Sequence, residues 1–378
     1  MRCEVCGGVA YCVKQKGKSD ITRRIYRCNK CGNVFNTIET KQLKVKETSK
    51  MSKIKLFTHT DLDGIGCAIL AYLAFGKENV DVEYCDYNNV NKKVEEFVEQ
   101  ENFFKSYTQV FITDISISED VANMIDILDV HPKRVRLFDH HATALELNKY
   151  GWCEVLATDP LTEFKVSGTG LFFQYLCNCM RYIKTPPVVV QNILMFVDFV
   201  NNYDTWRWKA LGEKGIICKQ LNDLFFIHGR ESFIHWALEH IQHDFCFPEF
   251  TPVDIAILKQ KQKDIDRYIE KKDTQLIFLK DAFGYAYGVV FAEQYFSELG
   301  NRLCELHPEL DYVAMIDISS GKVSYRTVRE DLDVGGTIAH SFGGGGHKKA
   351  AGSTFDRESV RCAVLHLLFD IPEIGAFD

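Results

Sequence analysis

The feature that most constrains the fold is an alternation of short apolar runs and helical stretches between residues 53 and 247. Residues 54–57, 82–84, 110–112 and 135–138 are apolar and strand-like, and amphipathic or apolar helical stretches separate them. Strands joined by helices form a parallel sheet with helices on both faces. We therefore predict an α/β fold whose parallel-sheet domain occupies residues 53–247.

Residues that bind metals stand directly after three of these strands. They are His59, Asp61 and Asp63 after the first strand, Asp114 after the third, and Asp139, His140 and His141 after the fourth. In open α/β sheets, ligands bind outside the carboxyl ends of the strands. We therefore expect these side chains to converge at one edge of the sheet, although each motif alone is compatible with an ordinary polar loop.

A cluster of this kind needs cations. Two like charges about 4 Å apart repel by roughly 4 kcal/mol at an effective dielectric constant of about 20. Carboxylates with His59 and His140, and without cysteine, favour Mn²⁺, with Mg²⁺ or Co²⁺ as alternatives. Two such ions clamp the attacking and leaving oxygens in phosphoryl chemistry.

The remainder of the chain predicts a connector helix and a smaller α/β domain. Residues 252–272 form the polar helical connector, and residues 273–378 contain strand-like runs at 275–279, 286–291, 312–318 and 323–327. Four consecutive glycines, residues 343–346, precede His347. Glycines let backbone amides approach a phosphate closely, although a flexible loop is the alternative.

Residues 1–49 predict a zinc ribbon. The pairs Cys3–Cys6 and Cys28–Cys31 each have CxxC spacing, lie 21 residues apart and are followed by glycine. Four thiolates suit one tetrahedral Zn²⁺. Residues 1–53 carry 13 Lys and Arg and 4 Asp and Glu, a net charge of +9, while the rest carries −16. The basic ribbon predicts binding of longer nucleic acid, with dimerisation or packing on the body as alternatives.

Composition excludes other classes of protein. Hydrophobic residues make up 46% and charged residues 26%, which is typical of a globular chain rather than a disordered one. No apolar run approaches the roughly 20 residues of a membrane helix, and the first residues lack the apolar core of a signal peptide. We therefore expect a cytoplasmic protein without a membrane partner.

Five motifs occur in an order that resembles the DHH phosphoesterase superfamily with its DHH-associated C-terminal domain. They are HTDLDG at 59–64, the isolated Asp114, DHH at 139–141, YDTW at 203–206 and GGGGHKKAAG at 343–352. YDTW and SELGNRLCE (297–305) resemble the bacterial nanoRNase, or oligoribonuclease, branch. The ribbon, with RRIYRCNKCGNVFNTIE at 23–39, resembles that of the bacterial ribonucleotide-reductase repressor and departs from the nanoRNase pattern.

The resemblance implies a role for each matching position. One metal takes His59, Asp61 and a bridging Asp114, and the other takes Asp63, Asp114, His140 and Asp204, with Asp198 as the alternative to Asp204. Asp139 orients a histidine, and His141 faces the scissile phosphate. Substrate phosphate is bound by Arg326, Gly344, Gly345, Gly346 and His347.

The implied activity is 3′→5′ hydrolysis of short oligoribonucleotides to mononucleotides by metal-activated water. A phosphodiesterase or phosphatase acting on linear or cyclic dinucleotide signals or on 3′-phosphoadenosine nucleotides is the alternative, because its C-terminal domain would be similar. A different class is a nucleic-acid-binding regulator with a nucleotide-sensing body. The expected partners are short RNA or a dinucleotide, longer nucleic acid through the ribbon, and a second copy of the chain in a homodimer.

Overall fold

The computed structural model describes residues 10–18, 21–28, 30–31, 34–40, 53–100, 106–128, 134–160, 162–182 and 184–369. For the strands before residue 41 it describes the backbone alone. The chain divides into two compact units, Met1–Ser52 and Lys53–Asp378. Within the described part, no helix is long and apolar enough to cross a bilayer.

The N-terminal unit contains an antiparallel sheet of three strands. These are β1 (Ala10–Lys18), β2 (Ile21–Cys28) and β3 (Val34–Thr40), paired in that order. Of the predicted zinc ligands, Cys3, Cys6 and the side chain of Cys28 lie outside the described residues, and Cys31 is exposed. Zinc binding therefore stays a prediction.

The predicted parallel sheet is confirmed. Its order is β5-β4-β6-β7-β8, and every neighbouring pair is parallel. The strands are β4 (Ile54–Thr58), β5 (Val80–Tyr84), β6 (Gln109–Thr113), β7 (Val135–Asp139) and β8 (Cys153–Val155). Strand β5 lies on one side of β4, and β6 lies on its other side. The direction in which the chain adds strands therefore reverses between β4 and β6. A crevice for ligands forms at such a point.

Helices cover both faces of this sheet because alternate strand residues point to opposite faces. Leu56, Phe111 and Phe138 belong to one apolar core, and Phe57 and Ile112 belong to the other. The helices are α1 (Leu62–Phe75), α2 (Val90–Val98), α3 (Glu119–Leu128), α4 (Gly168–Asn178), α5 (Pro187–Asp204), α6 (Gly212–His228) and α7 (Arg230–Gln242). Helix α1 is buried from Leu62 to Ala71 and contacts β4, α4, α5 and α7, which explains its apolar sequence.

The predicted connector is the helix α8 (Pro252–Asp273), which a Thr251–Asp254 capping box begins. A second sheet follows, in the order β13-β14-β12-β11-β10-β9. Its elements are β9 (Ile277–Lys280), β10 (Ala286–Phe291), α9 (Phe296–Leu306), β11 (Tyr312–Asp317), β12 (Lys322–Arg326), β13 (Gly345–His347), β14 (Ala350–Thr354) and α10 (Arg357–Phe369). The domain boundaries at 247–252 and 272–273 stay predictions.

Part of the glycine run lies in a strand rather than in the flexible loop that stood as the alternative. Gly345 and Gly346 lie with His347 in the edge strand β13, which pairs with β14. A Cβ on Gly344 would lie 2.1 Å from the carbonyl oxygen of Gly352, so this glycine permits close approach of two backbone segments. Gly345 has open space around its Cα and remains accessible.

Candidate metal centre and active site

The first group of ligands forms where β4 ends. The Nδ1 atom of His59 lies 3.0 Å from Oδ2 of Asp61 and 3.8 Å from Oδ2 of Asp114. Asp61 also begins helix α1, because its Oδ1 accepts a hydrogen bond from the Gly64 amide at 3.1 Å. A Cβ on Gly64 would lie 2.3 Å from the His59 carbonyl oxygen, so the turn requires glycine.

Asp114 is held in a sparsely populated backbone conformation. Its φ is +56°, and its side chain is 1% exposed. The Asp114 amide donates to the carbonyl oxygen of Phe138 at 2.9 Å, and a Cβ on Gly168 would lie 2.6 Å from the Asp114 Cβ. Strain of this kind is found at functional sites, and here it turns one carboxylate toward both ligand groups.

The second group of ligands surrounds His140. The Nε2 atom of His140 lies 3.3 Å from Oδ1 of Asp114, 3.6 Å from Oδ2 of Asp204 and 3.7 Å from Oδ2 of Asp63. Asp63 is also fixed by helix α4, whose first amides donate to it: Gly168 to Oδ2 at 2.6 Å and Thr169 to Oδ1 at 2.8 Å. The structure thus brings together all six metal-binding residues that the sequence analysis predicted.

The structure also separates Asp204 from its alternative. Both aspartates lie on helix α5. Asp198 forms an ion pair with Lys214 at 2.6 Å and its Oδ1 accepts from the Asn202 amide group. Asp204, in the last turn, is the one that faces His140.

Asp139 is buried and fully engaged by hydrogen bonds. Its Oδ1 accepts from Nδ1 of His141 at 2.7 Å and from the His140 amide at 2.8 Å, and its Oδ2 accepts from the Ser116 hydroxyl. Burial raises the pKa of Asp139, but the bonds from His141 and Ser116 outweigh it, and the pKa lies below the ordinary value. This carboxylate therefore stays ionised and orients His141.

The electrostatics of the cluster fit divalent cations. Burial, together with the charges of Asp63 and Asp61, raises the pKa of Asp114 and of Asp204 well above the ordinary value. One buried oxygen of each, Oδ2, makes no hydrogen bond with the residues that the structure describes. Buried carboxylate oxygens without donors are what hard cations bind, so the donor set fits two metal ions.

The C-terminal sheet contributes His347 to the same cleft. The His347 ring is stacked near that of His141, with centroids 6.2 Å apart and planes inclined by 22°. Burial lowers the pKa of His347, and the charges of His141, Lys165, His140 and Arg326 add to this effect.

Arg326 makes its described hydrogen bonds within its own domain. The guanidinium group donates to the Tyr325 carbonyl at 2.8 Å and to the Ser297 hydroxyl at 3.2 Å. Its Nε is buried without a partner among the described residues, and burial lowers its pKa. The role of Arg326 in phosphate binding therefore stays a prediction.

Sequence reasoning missed three contributors. The hydroxyl of Tyr87 lies 3.2 Å from Nε2 of His141, Ser116 bonds Asp139, and the Gly168 and Thr169 amides hold Asp63. Tyr87 follows β5, which ends at the same edge as the motif strands. A search of every strand end for any polar residue, rather than for metal-binding types alone, would have included it.

A curated oligoribonuclease is similar to most of the chain. Oligoribonuclease NrnB of Bacillus subtilis (strain 168) is 35% identical over 306 residues, which cover 80% of this chain and 73% of the relative. The motifs HTDLDG and DHH stand at the centre of the cluster described above. The chain belongs to the DHH phosphoesterase superfamily. As a DHH phosphoesterase it is a metal-dependent hydrolase of phosphate esters.

Two further comparisons agree with this DHH assignment. A 3′,5′-cyclic-nucleotide phosphodiesterase of Helicobacter pylori (strain ATCC 700392 / 26695) is 22% identical over 348 residues, covering 82% of this chain and 95% of that protein. The solved DHH domain of a protein from a family of ribosomal proteins is 13% identical, with a TM-score of 0.56 and coverage of 86% of this chain and 88% of that chain. The latter likeness concerns the fold. No family model matches the chain.

Proposed function

We propose that this DHH protein hydrolyses short oligoribonucleotides to mononucleotides from the 3′ end. The observation that supports the proposal is the stacked pair His141 and His347, in which a histidine of the second sheet lies next to the candidate ligand cluster. We assign phosphate binding to that histidine, His347. The similarity to an oligoribonuclease over 80% of the chain supports RNA as the substrate. A cleft bounded by both sheets suits a substrate of a few nucleotides.

In this proposal, His59, Asp61 and Asp114 hold one divalent cation, and Asp63, Asp114, His140 and Asp204 hold the other. Their mutual distances of 3.0–3.8 Å support this assignment. The ions, Mn²⁺ with Mg²⁺ or Co²⁺ as alternatives, supply Lewis acidity at the phosphate and lower the pKa of water. Asp114 belongs to both sets because its two oxygens face different histidines.

His141 is the proposed catalytic residue at the scissile phosphate. Since the Asp139 carboxylate accepts from Nδ1, the imidazole presents Nε2 to the cleft. A histidine held in this way can stabilise developing negative charge and transfer a proton at Nε2. Asp139 positions His141 and does not itself contact substrate.

The test is a comparison of substrates with the purified full-length protein and Mn²⁺. We expect turnover of RNA of about two to five nucleotides, with mononucleotides released from the 3′ end, and little turnover of long single-stranded DNA. Labelling the 5′ end distinguishes the direction, because 3′→5′ hydrolysis shortens the labelled product one nucleotide at a time. Absence of turnover on every short RNA would contradict the proposal.

A second candidate is hydrolysis of cyclic nucleotides or of dinucleotide signals. The similarity to a 3′,5′-cyclic-nucleotide phosphodiesterase over 82% of the chain favours it. Cyclic mononucleotides, cyclic dinucleotides and 3′-phosphoadenosine nucleotides therefore belong in the same assay. A higher kcat/KM for any of these than for a linear dinucleotide would make it the preferred substrate.

His347→Ala should weaken substrate binding while keeping the metals. His347 lies on the second sheet and outside both proposed ligand sets. We expect KM to rise by about 10-fold, or roughly 1.4 kcal/mol, with a smaller change in kcat. His340→Ala is the matched control, because His340 is exposed in the same part of the chain. Loss of Mn²⁺ from the His347 variant, measured by metal analysis, would instead make this residue a ligand.

Deletion of residues 1–50 should separate the two proposed nucleic-acid contacts. We expect hydrolysis of a dinucleotide to stay nearly intact, because its proposed binding groups all lie beyond residue 53. Affinity for a strand of about 20 nucleotides should fall, most clearly at low salt, since basic side chains release counterions from phosphates. Equal affinity of the full chain and the deletion variant for this strand, at low and moderate salt, would assign the ribbon to dimerisation or packing.

The proposal also includes zinc binding by the ribbon, a cytoplasmic location and a homodimer.

A further inference from the structure

Tyr87 lies at the rim of the metal-binding cleft and has no role in the scheme above. Its hydroxyl is 3.2 Å from Nε2 of His141. Its ring centroid lies 5.2 Å from that of His59 and 6.0 Å, edge-on, from that of His141. The residue is nevertheless 56% exposed, so one side of the tyrosine faces the solvent of the open cleft.

The loop that carries Tyr87 is tightly held. The Cys85 amide donates to the Thr58 carbonyl at 2.8 Å, which ties the loop to β4. The Tyr87 amide donates to Oδ1 of Asp86 at 2.7 Å, and the Asp86 amide donates to Oδ1 of Asn89 at 2.9 Å. These bonds fix the backbone from which the Tyr87 side chain extends, and the contacts of the ring with His59 and His141 set where its hydroxyl lies.

The hydrogen bonds of His141 show which of its ring nitrogens lies beside the Tyr87 hydroxyl. Asp139 engages Nδ1, so Nε2 is the ring nitrogen that remains for substrate. The Tyr87 hydroxyl lies at hydrogen-bond distance from that nitrogen. Because the two groups are this close, one oxygen atom in the cleft can lie at hydrogen-bond distance from both Nε2 and the hydroxyl.

The carboxyl groups around Tyr87 determine which kind of side chain can stabilise a phosphate at this position. Asp61, Asp114 and Asp204 already bring several carboxyl groups close to Tyr87, and cations are needed to balance them. A further carboxylate would repel a phosphate, whereas a neutral hydroxyl donates a hydrogen bond. A preorganised donor aimed at an oxygen that gains charge stabilises the transition state more than the ground state.

We propose that Tyr87 is a further residue of the reaction, whose hydroxyl donates a hydrogen bond to a non-bridging oxygen of the scissile phosphate. The inference rests on the proposed hydrolysis of phosphodiesters in this cleft. In the substrate-free protein the hydroxyl bonds Nε2 of His141, and the arriving phosphate takes that place. The ring, packed beside His59 and His141, sets the direction of the donated bond.

The variant Tyr87→Phe tests this role because it removes one oxygen and keeps the ring. Two substrates are compared with Mn²⁺: a ribodinucleotide and bis(4-nitrophenyl) phosphate, a phosphodiester without base or ribose. We expect kcat to fall by about 10- to 100-fold on both, with KM changed less than about 3-fold. Mn²⁺ content should equal that of the wild type. Tyr107→Phe is the matched control, because Tyr107 precedes β6 at the opposite end of the sheet and its hydroxyl donates to Asp81 at 2.7 Å.

Three results would overturn the inference: unchanged kcat in Tyr87→Phe, a loss confined to the dinucleotide, or a loss in KM alone. The second would assign the hydroxyl to ribose or base, and the third to ground-state binding. Assays of the wild-type protein on both substrates distinguish failure of the proposed function from failure of the proposed role of Tyr87. If it hydrolyses bis(4-nitrophenyl) phosphate but no RNA, the proposed substrate is wrong while the comparison on the base-free diester still decides the role of Tyr87.

Discussion

Asp114→Asn should lose both Mn²⁺ binding and activity. The variant removes the one carboxylate whose oxygens face both His59 and His140. We expect kcat on a dinucleotide to fall by roughly 1000-fold, equivalent to about 4 kcal/mol of transition-state stabilisation. Asparagine is the better replacement than alanine, because it tolerates the positive φ of +56° at this position. Metal analysis that finds two Mn²⁺ per chain in the variant would contradict the bridging role.

The same variant should stabilise the metal-free protein. Burial and the charges of Asp63 and Asp61 raise the pKa of Asp114. A carboxyl group whose pKa is raised by folding destabilises the folded state when it ionises, so its cost is present at neutral pH and is lost as the pH falls toward its unfolded pKa of about 3.9. With chelator at pH 7, Asp114→Asn should therefore unfold at a higher temperature than the wild type. A lower unfolding temperature would contradict the repulsion described for the cluster.

Asp198→Asn serves as the matched control for this experiment. Asp198 lies on the same helix as Asp204 but pairs with Lys214 at the surface. Since exposed ion pairs contribute little, we expect activity, metal content and thermal stability close to those of the wild type. A large loss of Mn²⁺ in this variant would return Asp198 to the ligand set.

His141→Ala should lose activity while keeping both metals. The variant removes the imidazole that is stacked near His347 but none of the proposed ligands. We expect kcat to fall by about 100- to 10,000-fold, the usual contribution of a positioned acid–base group. Asp139→Asn should also lower kcat, but by a smaller factor, because an asparagine oxygen still accepts a hydrogen bond from Nδ1 of His141.

Metal analysis decides how these two losses are interpreted. One oxygen or nitrogen of each of Asp114, Asp139, His140 and His141 lies within 4.8 Å of the others, a spacing that also suits an ion. If His141→Ala released one Mn²⁺, His141 would be a ligand and its proposed role at the phosphate would be wrong. Retention of both ions together with the loss of kcat supports the assignment made here.

Short apolar runs in the sequence predicted the strands well, because a strand that is buried in a sheet needs apolar side chains along its own length. Short apolar runs identified β4, β6, β7 and β10 within a residue or two of the observed bounds. Helix α1 begins at Leu62, because Asp61 caps it, and its first turn contains Asp63, a predicted ligand. The motif HTDLDG, for which an ordinary polar loop was the alternative, overlaps the start of this helix.

The sequence by itself determined which residues could meet. Parallel strands joined by helices bring all carboxyl ends to one edge, so the positions of His59, Asp114 and Asp139 followed from the order of elements alone. That argument does not reach Asp204, which the resemblance to the DHH superfamily implied, with Asp198 as the alternative. Choosing between them required the orientation of α5, because residues six apart on a helix point in different directions.

Tertiary structure alone decided the contacts between distant segments. The amides at the start of α4 hold Asp63 from 105 and 106 residues away, and His347 reaches His141 from another sheet. Tyr87 meets Nε2 of His141 across 54 residues. No periodicity encodes such pairs, because they depend on how whole elements pack and on which way each side chain turns. The parallel direction of the strands follows from local pattern and chain connectivity, whereas the distances that make a site follow from packing.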